Sequence, residues 1–188
     1  MAIITITGDI GAGKSTVSDL FAKFTGYEKF NADEIAKGLW NSDEVKNLIV
    51  SRWGDNALDE NNNVRLKMIA EIIFNSPSEY EYSCKIIHPR VMSKLFELTN
   101  NNNAVIEVPL LFEAGRPEWV KLVIFVTAEY KIRLARVKNR GWDESELLRR
   151  EKFLLPQKKR MAMSDIIIMN NSDLEDLEAR VKEIINAL

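Results

Sequence analysis

The sequence predicts an α/β fold, a parallel sheet flanked by helices, and three observations carry that prediction. Apolar, β-branched runs alternate with helical stretches along the chain, the pattern of a parallel sheet joined by right-handed crossovers. The first run, Ile3 to Ile6, leads into Gly8-Asp9-Ile10-Gly11-Ala12-Gly13-Lys14-Ser15, which fits the phosphate-binding loop pattern G-x-x-x-x-G-K-[ST]. A helical tract from about 41 to 100 separates the second run from the third and reads as an insertion. No internal repeat or low-complexity linker marks an independent second domain. The chain 1–188 therefore reads as a single domain with a helical insertion over 34–100 and a basic segment over about 140–160.

Each element follows from local chemistry. The stretch Ser15 to Lys23 continues the loop as a helix, and Gly26 reads as its C-terminal stop. A short second strand precedes Asp33, where the chain turns into a helix beginning Glu34-Ile35-Ala36. Leu66, Ile69, Ile72 and Ile73 recur at helical spacing, Pro77 starts a new segment, and His88-Pro89 is expected to interrupt or restart a helix running towards Leu98. The polar tract 100–103 reads as a surface loop. Residues 104–108 and 122–127 read as buried strands, 128–139 as a basic helix, and 165–170 as the last strand. Ser172 and Glu175 have capping-box spacing ahead of a final helix, with Leu174, Leu177, Val181, Ile184 and Leu188 along one face.

Composition narrows the function classes. Hydrophobic content of 46% with 29% charged residues fits a globular chain. No apolar run reaches the ~18 residues of a membrane span, and no basic stretch precedes the first strand, which argues against a signal peptide and for a cytoplasmic protein. The one cysteine, Cys84, excludes an internal disulfide framework and reads as a partly buried small apolar residue. The net charge is −2, yet Lys131–Arg160 holds eleven Lys/Arg against four Asp/Glu. A cationic lid over triphosphate explains that block better than a nucleic-acid patch, because the rest of the chain is acidic. Within the block, Arg133, Lys138 and Lys159 are expected to be solvated.

The loop predicts ATP binding with Mg²⁺. Glycines let successive backbone N–H groups approach an anion, and the helix N-terminus adds partial positive charge. Lys14 is placed to reach the β- and γ-phosphates and Ser15 to ligate Mg²⁺. Asp33 stands at the carboxyl end of the second strand, where an open α/β sheet places its ligands. By residue type it could equally cap the helix that follows.

Further features, in order, are Asn31-Ala32-Asp33 with Ile35-Ala36, Trp53-Gly54, Ile73-Phe74, His88-Pro89, and Val108-Pro109-Leu110-Leu111-Phe112-Glu113. After them come Arg136, Arg140, Ser164-Asp165-Ile166-Ile167 and Asn170-Asn171. With these the chain resembles the dephospho-CoA kinase family from Ile3 to about Val181. The resemblance implies a P-loop kinase-like sheet, an acceptor-binding helical insertion and a basic lid. It also implies γ-phosphoryl transfer from ATP to the ribose 3′-hydroxyl of dephospho-CoA. On the matching positions, Asp33 would accept the acceptor's proton, Thr16 would meet the α-phosphate, and Arg136 and Arg140 would meet ATP. Glu107 would hold the metal's water shell, and Asn170 and Asn171 would lie near adenine. Arg65, His88 and Pro109 would line the acceptor side, His88 by lining a pocket or initiating a helix. The chain departs from the family pattern at Asn31, Leu66, Leu154 and Ser172, where Asp, Arg, Gln and Gly are usual. Another small-molecule kinase, such as a deoxynucleoside monophosphate kinase, would share every ATP-side residue, as would a nucleotide-dependent switch.

Overall fold

A computed structural model describes residues 2–100 and 102–188. Asn101 of the asparagine tract, and Met1 ahead of the first strand, lie outside the described residues. In chain order the elements are β1 (Ile3–Gly8), α1 (Lys14–Thr25), β2 (Glu28–Asn31), α2 (Ala32–Trp40) and α3 (Asp43–Trp53). A 3₁₀ turn (Asp55–Ala57), α4 (Leu66–Asn75) and α5 (Pro77–Thr99) complete the helical tract. Then come β3 (Ala104–Glu107), α6 (Leu111–Ala114), β4 (Leu122–Thr127), α7 (Tyr130–Lys138), α8 (Glu144–Glu151), α9 (Gln157–Ala162), β5 (Ile166–Met169) and α10 (Leu174–Ala187).

The five strands form one parallel sheet in the order β2-β3-β1-β4-β5. β1 is central because it is apolar or β-branched throughout, with Ile4 and Ile6 on one face and Thr5 and Thr7 on the other, all buried. Ile4 and Ile6 join Val105, Ile124, Val126 and Ile168 against Val17, Leu20 and Phe21 of α1 and Leu177, Val181 and Ile184 of α10. Leu174 and Leu188, expected on that apolar face, are more than half exposed. Leu174 is the first residue of α10 and Leu188 its C-terminal cap, so both stand at the ends of the helix, outside the buried stretch Leu177–Ile184.

Two compact units emerge: residues up to Asn31 with Leu95–Leu188, carrying the sheet, and Ala32–Lys94, carrying helices. Within the helical unit, Glu79 accepts from Arg52 Nη2 at 2.7 Å and from Trp53 Nε1 at 2.8 Å, and Trp53 meets Tyr82 edge to face. Trp53 of the Trp-Gly pair thus packs α3 on α5.

Two sequence expectations fail here. α5 runs unbroken through His88-Pro89. Pro89 cannot donate to the Lys85 carbonyl; Arg90 Nη1 donates to the next carbonyl, Ile86, at 2.7 Å. His88 therefore does not initiate a helix. The cap of α10 is Asp173, whose carboxylate accepts from Asp176 N at 3.0 Å, rather than Ser172 with Glu175. Either residue can cap by type, and the turn after β5 selects the later one.

Candidate active site

The loop between β1 and α1 is shaped by close approach. Gly8, at φ 147°, lies so near β4 that a Cβ would stand 2.0 Å from the Val126 carbonyl oxygen. Gly13, at φ 91°, precedes α1, and a Cβ there would meet Asn170 Nδ2 at 2.4 Å. Side chains from distant segments hold the loop's carbonyls. Arg133 Nη1 donates to Ile10 O at 3.2 Å, Arg136 Nη1 to Ala12 O at 3.2 Å, and Asn170 Nδ2 to Ala12 O at 2.7 Å. These bonds fix the loop's carbonyls, and the first turn of α1 adds backbone N–H donors beside them. Lys14 Nζ folds back over the loop, donating to Asp9 O at 3.0 Å and Gly8 O at 3.4 Å.

β3 pairs with β1 so that Glu107 stands opposite Ile6, at the carboxyl end of the sheet. Its buried carboxylate accepts from Ser15 Oγ at 3.0 Å and from Ser18 Oγ at 3.1 Å. Ser18 was not singled out from the sequence, although its i, i+3 spacing from Ser15 puts both hydroxyls on one face of α1. A serine hydroxyl beside a carboxylate suits a hard cation. Among the described residues no cluster of three or more His, Cys, Asp or Glu could hold a metal. A Mg²⁺ ion bound here would take most of its oxygens from phosphate and water, and the donor set fits that arrangement.

A cavity of about 350 Å³ opens beside the loop, lined by Gly11, Gly13, Thr16, Arg136, Arg140 and Asn170 and by Ser172, Asp173, Leu174 and Leu177. Its size lies at the lower end of the ~300–1,000 Å³ of small-molecule sites. The wall by the loop is cationic and polar, and the remaining wall mixes the polar Ser172 and Asp173 with the apolar Leu174 and Leu177. Partial burial pulls the Arg136 guanidinium below its ordinary pKa; Arg140 is exposed at the mouth.

Other predicted residues go elsewhere. Asn171 accepts from Glu129 N at 2.8 Å and donates to Glu129 Oε1 at 3.3 Å, tying β5 to the start of α7 outside the cavity lining. Arg133, expected in solvent, is 7% exposed and pairs with Glu151 at 2.5 Å; Lys138 and Lys159 are exposed. The Asp9 side chain is buried away from the loop's concave side, on Arg160, Gln157 and Thr127. None of those three carried a sequence signal, since their partner lies more than a hundred residues away. Pro109 offers its carbonyl to Thr7 Oγ1 at 3.4 Å.

The helical unit holds the remaining three. Asp33 is an exposed first-turn residue of α2, which begins at Ala32 directly after β2, so Asp33 does not occupy the cap position. Arg65 is exposed ahead of α4 and donates through Nε to Leu58 O at 2.9 Å. His88 is half-buried in α5, and burial pushes its pKa down.

Comparison with known proteins agrees with this geometry. The model of the dephospho-CoA kinase family matches residues 2–176. A dephospho-CoA kinase of Fusobacterium nucleatum is 35% identical over 184 residues, covering 96% of this chain and 95% of the relative. A crystal structure of a Thermus thermophilus protein superposes with a TM-score of 0.79 at 29% identity, covering 100% of this chain and 97% of that one. The fold is also that of the dephospho-CoA kinase from Campylobacter jejuni, with a TM-score of 0.70 at 23% identity, 98% of this chain and 95% of that one being covered. This chain belongs to the dephospho-CoA kinase family.

Proposed function

We propose that this protein transfers the γ-phosphoryl group of ATP to the ribose 3′-hydroxyl of dephospho-CoA, giving coenzyme A and ADP. The observation that carries this reading is the family match along nearly the whole chain. The loop supports it by offering backbone donors and the Lys14 ammonium to the charge that builds on the transferred group. Asp33 orients the 3′-hydroxyl and accepts its proton as the new O–P bond forms; the bond from the γ-phosphorus to the bridging oxygen breaks and ADP leaves. Thr16 and Arg136 hold the nucleotide's phosphates. Arg140 meets phosphate oxygens through its forked donors. Bound Mg²⁺ would supply charge neutralisation to the phosphates; Ser15 would be its protein ligand and Glu107 would hold its water. Arg65, His88 and Pro109 serve the acceptor. A single cysteine suits work in a reducing cytoplasm, and among the described residues no helix is long and apolar enough to cross a membrane.

The test is ADP release measured with a panel of acceptors. Dephospho-CoA should stimulate turnover far above the no-acceptor rate, and deoxynucleoside monophosphates should not. Stimulation by a nucleotide alone overturns the acceptor, and slow hydrolysis untouched by every acceptor overturns the kinase reading.

A further inference from the structure

Asp9 is the one acidic residue within the loop Gly8–Ser15. Its carboxylate is 2% exposed and pairs with Arg160 Nη2 at 2.8 Å, on a side chain 5% exposed. The second carboxylate oxygen accepts from Thr127 Oγ1 at 2.6 Å and from Gln157 Nε2 at 2.5 Å. Asp9 N donates to Val126 O at 3.0 Å, and Asp9 O accepts from Lys14 Nζ at 3.0 Å. The same residue therefore anchors the loop to β4 and holds the ammonium that would meet phosphate. Arg160 is fixed in turn: Nε donates to Leu155 O at 2.9 Å, Nη1 to Gly8 O at 3.5 Å, and the guanidinium lies 5.2 Å from the Phe125 ring centre.

A negative charge inside an anion-binding loop opposes the loop's own work, and a buried carboxylate without a partner is costly. Arg160 answers both. We propose that Arg160 is a positioning residue for ATP binding. It cancels the charge of Asp9 and, with Gln157 on the same helix and Thr127 at the end of β4, clamps the loop in its anion-binding shape. It touches no substrate and acts through Asp9. Both α9 residues lie at the end of the basic segment, so that end is fastened to the loop.

This inference rests on the loop being the site of ATP's phosphates, so the experiment measures ATP affinity by titration calorimetry beside steady-state kinetics. The proteins compared are the wild type, Arg160→Gln, and the double variant Asp9→Asn/Arg160→Gln, which exchanges the ion pair for an amide pair of similar shape. Arg160→Gln should weaken ATP binding more than about fivefold while kcat and the KM for dephospho-CoA stay within about threefold. The double variant should bind ATP more nearly like the wild type than like the single variant, because the uncompensated charge is gone. A smaller ATP effect, parallel losses in kcat and both KM values, or a double variant no better than the single one overturns the proposal. Should Arg160→Gln not fold, the double variant decides: it must bind ATP within about fivefold of the wild type, and weaker binding overturns the proposal. Wild-type protein that binds no ATP sinks the function and this inference together. Wild-type protein that binds ATP but leaves dephospho-CoA untouched sinks only the acceptor, and calorimetry still tests the pair.

Discussion

Asp33 illustrates how one carboxylate can be assigned a chemical task. It is two residues beyond β2 in the chain, exposed, in the first turn of α2 and outside the cap position. A first-turn acid gains from the helix dipole, but an exposed one adds only ~0.3–1 kcal/mol. Asp33→Asn should therefore leave stability and the ATP KM within about twofold, while kcat falls about 100-fold or more if the residue takes the acceptor's proton. Equal losses in ATP binding and turnover, seen in initial-rate kinetics, would remove its chemical role. Ser15 and Glu107 make a different case: both were named for the metal side from sequence, and the structure sets them 3.0 Å apart. Their common location, though not their hydrogen bond, was legible: Glu107 ends β3 and Ser15 lies in the first turn of the helix after β1, both at the carboxyl end of the sheet. Arg133 and Arg160 were not legible. An arginine's burial depends on whether a distant carboxylate meets it, and nothing near either residue in sequence announces Glu151 or Asp9.

Among the elements, those covered on both faces were the easiest to read. β3 and β4 are unbroken apolar runs because helices cover a parallel sheet on either side, and the structure keeps them within a residue or so of their expected ends. Local choices between similar residues were harder. Ser172 and Asp173 both cap by type, and the side-chain bond from Asp173 to Asp176 N settles which one does. Asp173→Ala should cost about 1 kcal/mol in urea denaturation, and Ser172→Ala less than about 0.5 kcal/mol. The opposite order would return the cap to Ser172. Pro89 was misread for a comparable reason. A proline removes one donor, yet a long helix packed along its length absorbs that loss when other contacts hold it.

For the molecule as a whole, the lone histidine links folding to acidity. Burial holds the His88 pKa below its ordinary value of 6.5, so the unfolded chain takes up the proton first as pH falls. The stability tied to neutral His88 is complete above that value and is lost progressively below it, towards the folded-state pKa. Urea midpoints recorded between about pH 5 and 7.5 should decline on the acid side, and His88→Gln should flatten the decline. Unchanged slopes would assign acid sensitivity to other groups. The order of the sheet has a consequence for synthesis. β1 is made before both of its neighbours, β3 and β4, which lie about a hundred residues downstream. A ribosome must therefore release about a hundred further residues before this central strand finds any hydrogen-bonding mate. During that wait its isoleucines are exposed to chaperones and to other nascent chains.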